Sequence, residues 1–198
     1  MSAPLKIYFV TSNEGKVREA NAVLRRYGLA VVPYPARKLE LQSESLEEVA
    51  SYAARSLAGK VPEPFFVEDS GLFIYSLRGF PGPYSSYVYR TIGLRGVLKL
   101  MEGVSDRRAK FVAVAALCLR GEIHVFRGEV EGIIALQARG AGGFGYDPIF
   151  MPLGSNKTFA EMSTEEKCRH SHRAKALRAL AKYIIDEVVR EHSGNSCA

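Results

Sequence analysis

No run of about 18 consecutive apolar residues, the length that a membrane-spanning helix needs, occurs in this 198-residue chain. The N-terminal region lacks a basic segment followed by an apolar core and a small-residue cleavage site, so no secretory signal is expected. Cysteine is scarce: Cys118, Cys168 and Cys197 stand at irregular spacing, without a C-x-x-C pair. That pattern supports neither a disulfide framework nor a thiolate zinc site, and a reducing cytoplasm is the expected compartment. Internal repeats and low-complexity segments are absent as well. What remains is an ordinary globular composition, 47% apolar and 24% charged, enough for a sizeable core. Residues 1–198 are therefore expected to form one domain with two lobes. The net charge of +6 suits an anionic ligand without separating a nucleotide from a nucleic acid.

The most informative segment is the opening. A β-prone run at residues 5–10 ends in Thr11-Ser12-Asn13-Glu14-Gly15-Lys16, and a charge-rich helix is expected over residues 14–27, stopped by Gly28. A strand that delivers the chain to a loop and then to a helix N-terminus is how α/β proteins build anion sites, because the first N–H groups of the helix are unpaired and its dipole favours negative charge. The hydroxyls of Thr11 and Ser12, the amide of Asn13 and the ammonium of Lys16 can all donate to phosphate oxygens. The spacing is not that of a Walker A loop.

Further elements follow in alternation. A second strand is expected at residues 30–33 and a helix at 45–58, with Ser45 as N-cap and Glu48 completing a capping box. A short buried strand is expected at residues 65–67, two long strands at 109–119 and 123–132 around a hairpin turn at 120–122, and a closing helix at 171–191. Residues 79–83, Gly-Phe-Pro-Gly-Pro, read as a rigid loop. The class is α/β: a mixed central sheet with flanking helices, a smaller β-hairpin lobe, and a substrate cleft between the lobes.

Three more clusters carry chemistry. Glu68 and Asp69 end the short strand just before Ser70-Gly71, where an α/β sheet presents its ligand crevice. Paired acids beside a phosphate site suggest Mg²⁺, although adjacent strand residues point to opposite faces and only one can meet the metal directly. Glu40, or with less support Glu44, could complete such a site with Asp69. In Gly142-Gly143-Phe144-Gly145-Tyr146-Asp147 the glycines allow close approach of a flat ligand, Phe144 offers a stacking face and Asp147 an acceptor. In Lys167-Cys168-Arg169-His170-Ser171-His172-Arg173, Ser171 is a plausible N-cap, which puts basic His172 and Arg173 on a first helical turn where acids are the favoured residues. Such a local misfit points to function. A metal site from His170 and His172 is disfavoured, since side chains two apart on a helix diverge.

Taken together, the segments 11–16, 68–72, 79–84, 143–148 and 171–173 resemble, in content and order, the inosine triphosphate pyrophosphatase family, also called dITP/XTP pyrophosphatases, and the resemblance spans nearly the whole chain. It implies a homodimer that uses Mg²⁺ to hydrolyse deaminated purine nucleoside triphosphates (ITP, dITP, XTP) to the monophosphate and pyrophosphate, with no nucleic-acid or membrane partner. It puts Thr11, Ser12, Asn13, Glu14, Gly15 and Lys16 on triphosphate-binding positions, Asp69 on the catalytic acid and metal ligand, Glu40 on the second metal ligand, and Ser70 on a substrate contact. Phe144, Gly145, Tyr146, Asp147, Lys167, His172 and Arg173 match base-recognition positions. Two departures stand out. Ser12 replaces a common glycine, and Ala53 stands where the family often has a lysine, so that Arg55 or Lys60 would have to supply that phosphate contact. Base choice has a chemical logic: hypoxanthine and xanthine present a 6-oxo acceptor where adenine presents an amino donor, and a cationic donor such as Arg173 or Lys167 distinguishes the two.

Overall fold

A computed structural model of the chain describes residues 4–39 and 41–194. Seven strands form one mixed sheet in the order β2-β1-β3-β5-β6-β7, with β4 paired to β3 off that path. β1 (Leu5–Val10) runs parallel to β2 (Leu29–Tyr34) and to β3 (Phe65–Ile74), whereas β4 (Pro81–Gly82), β5 (Arg108–Leu119), β6 (Glu122–Ile134) and β7 (Phe150–Pro152) are joined in antiparallel pairs. The helices are α1 (Glu14–Leu24), α2 (Leu46–Leu57), α3 (Ser85–Thr91), α4 (Gly93–Leu100), α5 (Thr164–His170) and α6 (His172–Gly194). Among the described residues, no helix is long and apolar enough to cross a membrane.

The apolar residues divide by face, as strand alternation requires. Ile7, Phe9, Phe66, Ala113 and Ala115 point to one side of the sheet and pack with α1 and α6 through Ala20, Leu24, Leu177 and Leu180. Val10, Phe65, Val67, Val112 and Val114 point to the other side, against Leu46, Ala50, Ala53 and Leu57 of α2. A third cluster covers the distal part of the same sheet: Leu72 and Ile74 of β3, Phe111 and Val130, with Val88, Val97, Phe150 and Phe159. This part of the sheet is more than a hairpin, because α3 and α4 close it. Phe66 and Val67 belong to the first two clusters and Leu72 to the third, so residues 68–71 cross between them.

Several sequence expectations are corrected. The strand expected to stop at Val67 continues to Ile74, pairing residue by residue with β5 from Phe65↔Cys118 to Ile74↔Ala109. Glu68 and Asp69 are thus mid-strand, and the break suggested by two acids does not occur, because cations from other elements compensate Glu68. The helix expected to run to Tyr27 ends at Leu24 and tightens into a 3₁₀ turn at Arg25–Tyr27 before left-handed Gly28. Ser45 does cap α2, accepting from the Glu48 N–H at 3.2 Å, but the Glu48 carboxylate accepts from the Ser43 hydroxyl at 2.6 Å. The Ser45 N–H then goes to Ser43 Oγ at 3.0 Å, so a hydroxyl relay replaces the reciprocal box. The helix α5, short and polar, has no sequence expectation behind it.

One contact sets the position of α6. A Cβ built on Gly128 of β6 would lie 2.2 Å from the His172 carbonyl oxygen and 2.5 Å from the Ala176 nitrogen, so the helix N-terminus lies directly on strand backbone. Gly128→Ala must push α6 away and is expected to lower unfolding stability by about 1–3 kcal/mol in chemical denaturation, as overpacking does. Unchanged stability would show that the helix has slack there.

Candidate active site

The site is assembled from the loop after β1, the glycine-rich loop, and the elements α1, β3, α5 and α6. The loop after β1 is held by its own polar groups: Thr11 Oγ1 accepts from the Asn13 N–H at 3.1 Å, and Asn13 Oδ1 caps α1 by accepting from the Lys16 N–H at 3.1 Å. Ser12 and Asn13 are exposed, and the α1 N-terminus opens beside them. The Lys16 side chain reaches over β3, donating from Nζ to the Glu68 carbonyl oxygen at 3.1 Å and pairing with Glu68 Oε2 at 2.7 Å. The loop also borders a recess of about 280 Å³ lined by Thr11, Ser12, Glu14, Val17, Arg18 and Pro33, which holds none of the buried cations.

Behind Lys16 lies a chain of buried charges. Arg173, at the start of α6, pairs through Nη2 with Glu68 Oε1 at 3.2 Å and donates to Ser70 Oγ at 3.0 Å. Its Nη1 donates to Glu19 Oε2 at 2.6 Å. The other oxygen of Glu19 accepts from Lys167 Nζ at 2.6 Å, and Lys167 pairs in turn with Asp147 Oδ2 at 2.5 Å. Asp147 Oδ2 also accepts from the Phe144 N–H at 2.8 Å, which ties the glycine-rich loop to the chain. Three cations therefore alternate with three carboxylates, and Glu19, Glu68, Asp147, Lys167 and Arg173 are all at most 5% exposed.

The electrostatics follow. Burial alone would raise the Glu19 and Glu68 carboxyls, yet the adjacent cations overcome it and hold both below the usual carboxylate range. Burial pushes Asp147 up, helped by the neighbouring charge of Glu19 and opposed by Lys167. Burial also raises Asp69, with Lys16 and Lys38 opposing and Glu68 reinforcing the shift. Asp69, on the opposite side of β3 from Glu68, has no ion-pair partner among the described residues, and its Oδ1 accepts only from the Ser70 N–H at 3.0 Å. Among the described site carboxylates it is the one left open to an incoming ligand.

Other expected residues fall differently. The Glu14 side chain is 92% exposed and meets only Arg18, at 3.8 Å, so it does not join the site. Tyr146 is buried, and its hydroxyl donates to the Ser85 carbonyl of α3 at 2.9 Å instead of facing the cleft. His172 is buried and stacks on Phe111 with ring centres 4.5 Å apart. Desolvation, with Arg173 and Lys167 nearby, holds its pKa well below the usual value, and it is a neutral packing group at neutral pH. His170 is exposed, apart from His172. Ser171 caps α6 as expected, accepting from the Ala174 N–H at 3.2 Å. Ala53 points into the apolar core, Lys60 caps α2 through the Ser56 carbonyl at 2.8 Å, and Arg55 is exposed on the same helix. Glu40 lies outside the described residues, and Glu44 is exposed. Sequence reasoning missed Glu19 altogether; its only signal was an acid at a helical position that α1 turns inward.

A metal can be tested against the donor set. Among the described residues no group of three His, Cys, Asp or Glu could hold an ion. Mg²⁺ does not require one, since it commonly binds through one or two carboxylates and the phosphates of its substrate. The desolvated, unpaired Asp69 beside the phosphate-suited loop fits that pattern.

The mixed α/β sheet brings a helix N-terminus, an open acid and buried cations together around the middle of β3, an arrangement suited to a phosphorylated anion. The chain matches the model of the Ham1 family over residues 7–183 and belongs to that family. It is 55% identical over 180 residues, 91% of this chain and 97% of the relative, to a Pyrococcus horikoshii protein named dITP/XTP pyrophosphatase. It is 54% identical over 184 residues, 92% of this chain and 98% of the relative, to an Ignicoccus hospitalis protein of the same name. Among solved structures, the HAM1 protein of Coxiella burnetii superposes with a TM-score of 0.80 at 32% identity, covering 92% of this chain and 99% of that one. The Staphylococcus aureus Ham1 protein gives 0.78 at 30% identity, with coverage of 92% and 99%.

Glu19 bridges two buried cations, so its removal leaves both uncompensated. Glu19→Ala is expected to cost about 3–5 kcal/mol of stability. Because the Glu19 carboxyl is lowered in the folded state, its contribution is present above its unfolded pKa and fades as pH falls. Melting temperature should therefore drop less steeply below about pH 4.5 in Glu19→Gln than in the parent protein; parallel curves would exclude the pairing.

Proposed function

We propose that the protein is a nucleotide pyrophosphohydrolase that converts ITP, dITP and XTP to the monophosphate and pyrophosphate and so keeps deaminated purines out of nucleotide pools. The names of its relatives and the matched family model support the reaction class. The observation that supports the assignment of parts is the open, desolvated Asp69, next along β3 to the Glu68 that pairs with Lys16 and Arg173. In this reading Thr11, Ser12, Asn13 and Lys16 bind the triphosphate together with the α1 N-terminus. Asp69 takes a proton from the attacking water at the α-phosphorus, and a carboxyl raised by burial is the stronger base for it. Asp69, with Glu40 by family resemblance, would hold Mg²⁺, which when bound supplies charge neutralisation on the phosphates.

At the base end, Phe144 supplies the stacking face and Lys167 and Arg173 the donors. Arg173 Nε is buried with no acceptor among the described residues, which leaves a donor available for a 6-oxo group. An amino group in that place would set donor against donor, and such mismatches in buried sites discriminate by about 10⁴–10⁵. A second copy of the chain would cover α3, where Tyr84, Tyr87 and Tyr89 are 45%, 62% and 41% exposed, giving the homodimer. A cytoplasmic setting suits a substrate drawn from nucleotide pools.

The test is pyrophosphate release from ITP, XTP, ATP and GTP, each with Mg²⁺ and with EDTA. Metal-dependent release from ITP and XTP far above ATP and GTP is expected; equal rates with all four would reject the base site, and no release would reject the activity. Asp69→Asn should lower kcat by about 10²–10⁴ with nucleotide binding largely retained. Retained turnover would move the base elsewhere. Arg173→Ala should erode the ITP-over-ATP ratio more than it weakens pyrophosphate binding, and an unchanged ratio would remove Arg173 from base selection.

A further inference from the structure

Phe144 occupies an unexpected position for a residue that is to stack on a ligand. Its ring centre lies 4.9 Å from Lys167 Nζ and 5.2 Å from Arg173 Cζ, so the ring already covers the two donors assigned to the base. The ring also rests on the phosphate loop: a Cβ built on Gly15 would lie 2.5 Å from Phe144 Cδ1 and 2.8 Å from Cε1. It therefore spans the gap between the α1 N-terminus and the cation pair. Its backbone is anchored, since the Phe144 N–H donates to Asp147 Oδ2 at 2.8 Å, while Gly143 and Gly145 on either side sit at φ +69° and +59°. An anchored backbone with an aromatic ring half-buried above it leaves side-chain rotation as the motion that opens the gap.

We propose that Phe144 plugs the nucleobase site of the free enzyme, using Lys167, Arg173 and the bare backbone of Gly15 as its seat, and must swing aside before a base can enter. This rests on the base-site reading above. The cations hold the ring by its π face, and an entering base replaces that attraction with its own oxo acceptors. When only a fraction of molecules is open, every nucleotide binds more weakly by that same fraction. The plug therefore leaves the ratio between bases unchanged. What it lowers is absolute affinity, so that an abundant nucleotide with poor base contacts does not saturate the site.

Gly15→Ala tests the seat, because alanine suits a helix first turn better than glycine while its Cβ collides with the ring. Binding of dIMP, dAMP and inorganic pyrophosphate, all in EDTA, is measured by calorimetry for the parent, Gly15→Ala, Phe144→Ala and the double variant. The expected result is that Gly15→Ala raises dIMP affinity relative to pyrophosphate by about tenfold, or 1.4 kcal/mol. The dIMP-to-dAMP ratio should stay as it was, and Gly15→Ala should do nothing further in the Phe144→Ala background. An unchanged or lower affinity for dIMP relative to pyrophosphate overturns the plug, as does the same change in both backgrounds. Failure of the base-site reading itself looks different: Arg173→Ala would then leave the preference for dIMP over dAMP intact.

Discussion

The structure turns on an alternating chain of charges, Lys16–Glu68–Arg173–Glu19–Lys167–Asp147, buried except at its Lys16 end. Removing one member strands its neighbours in a medium where an uncompensated charge is costly, so the six act as a unit. The chain joins α1, β3, α5, α6 and the glycine-rich loop, the same elements that carry the phosphate-suited and base-suited groups. Its carboxylates balance the cations in formal charge, yet Lys16, Lys167 and Arg173 retain N–H groups beyond those already bonded.

This arrangement explains why the strand at the centre of the sheet can carry an acid pair. Glu68 points to the cations and is ionised; Asp69 points the other way and is left open, desolvated and raised. Two adjacent residues of the same chemistry acquire opposite roles because strand alternation sends them to different surroundings. The close contact of Gly128 with the α6 backbone belongs to the same logic, since it sets the depth at which Arg173 enters the chain. Tyr146 and His172 brace the site from behind, one against α3 and the other against Phe111.

Much of the architecture was legible beforehand. The strand–loop–helix opening, the Ser45 and Ser171 caps and the hairpin of β5 and β6 are local features, governed by period, turn chemistry and capping within a few residues. The extension of β3 to Ile74 was not legible, because two acids inside a strand are tolerable only when distant cations meet them. Glu14 and Glu19 look equivalent as letters on one helix. One is nearly fully exposed and the other is the bridge of the site, a difference set by which side of α1 faces α5 and α6.

By itself, then, the sequence determined the elements, the anion-suited loop and the ordered motifs of a Ham1-family protein. Tertiary structure alone decided the pairing of charges: Glu19 meets partners 148 and 154 residues away, and Glu68 meets Lys16 across 52. It also decided that Phe144 rests on Gly15 and that His172 is neutral. The physical reason is range. Helix periods, caps and turns are fixed by neighbours in the chain, whereas burial, charge compensation and ring contacts exist only once the packed elements bring distant residues together.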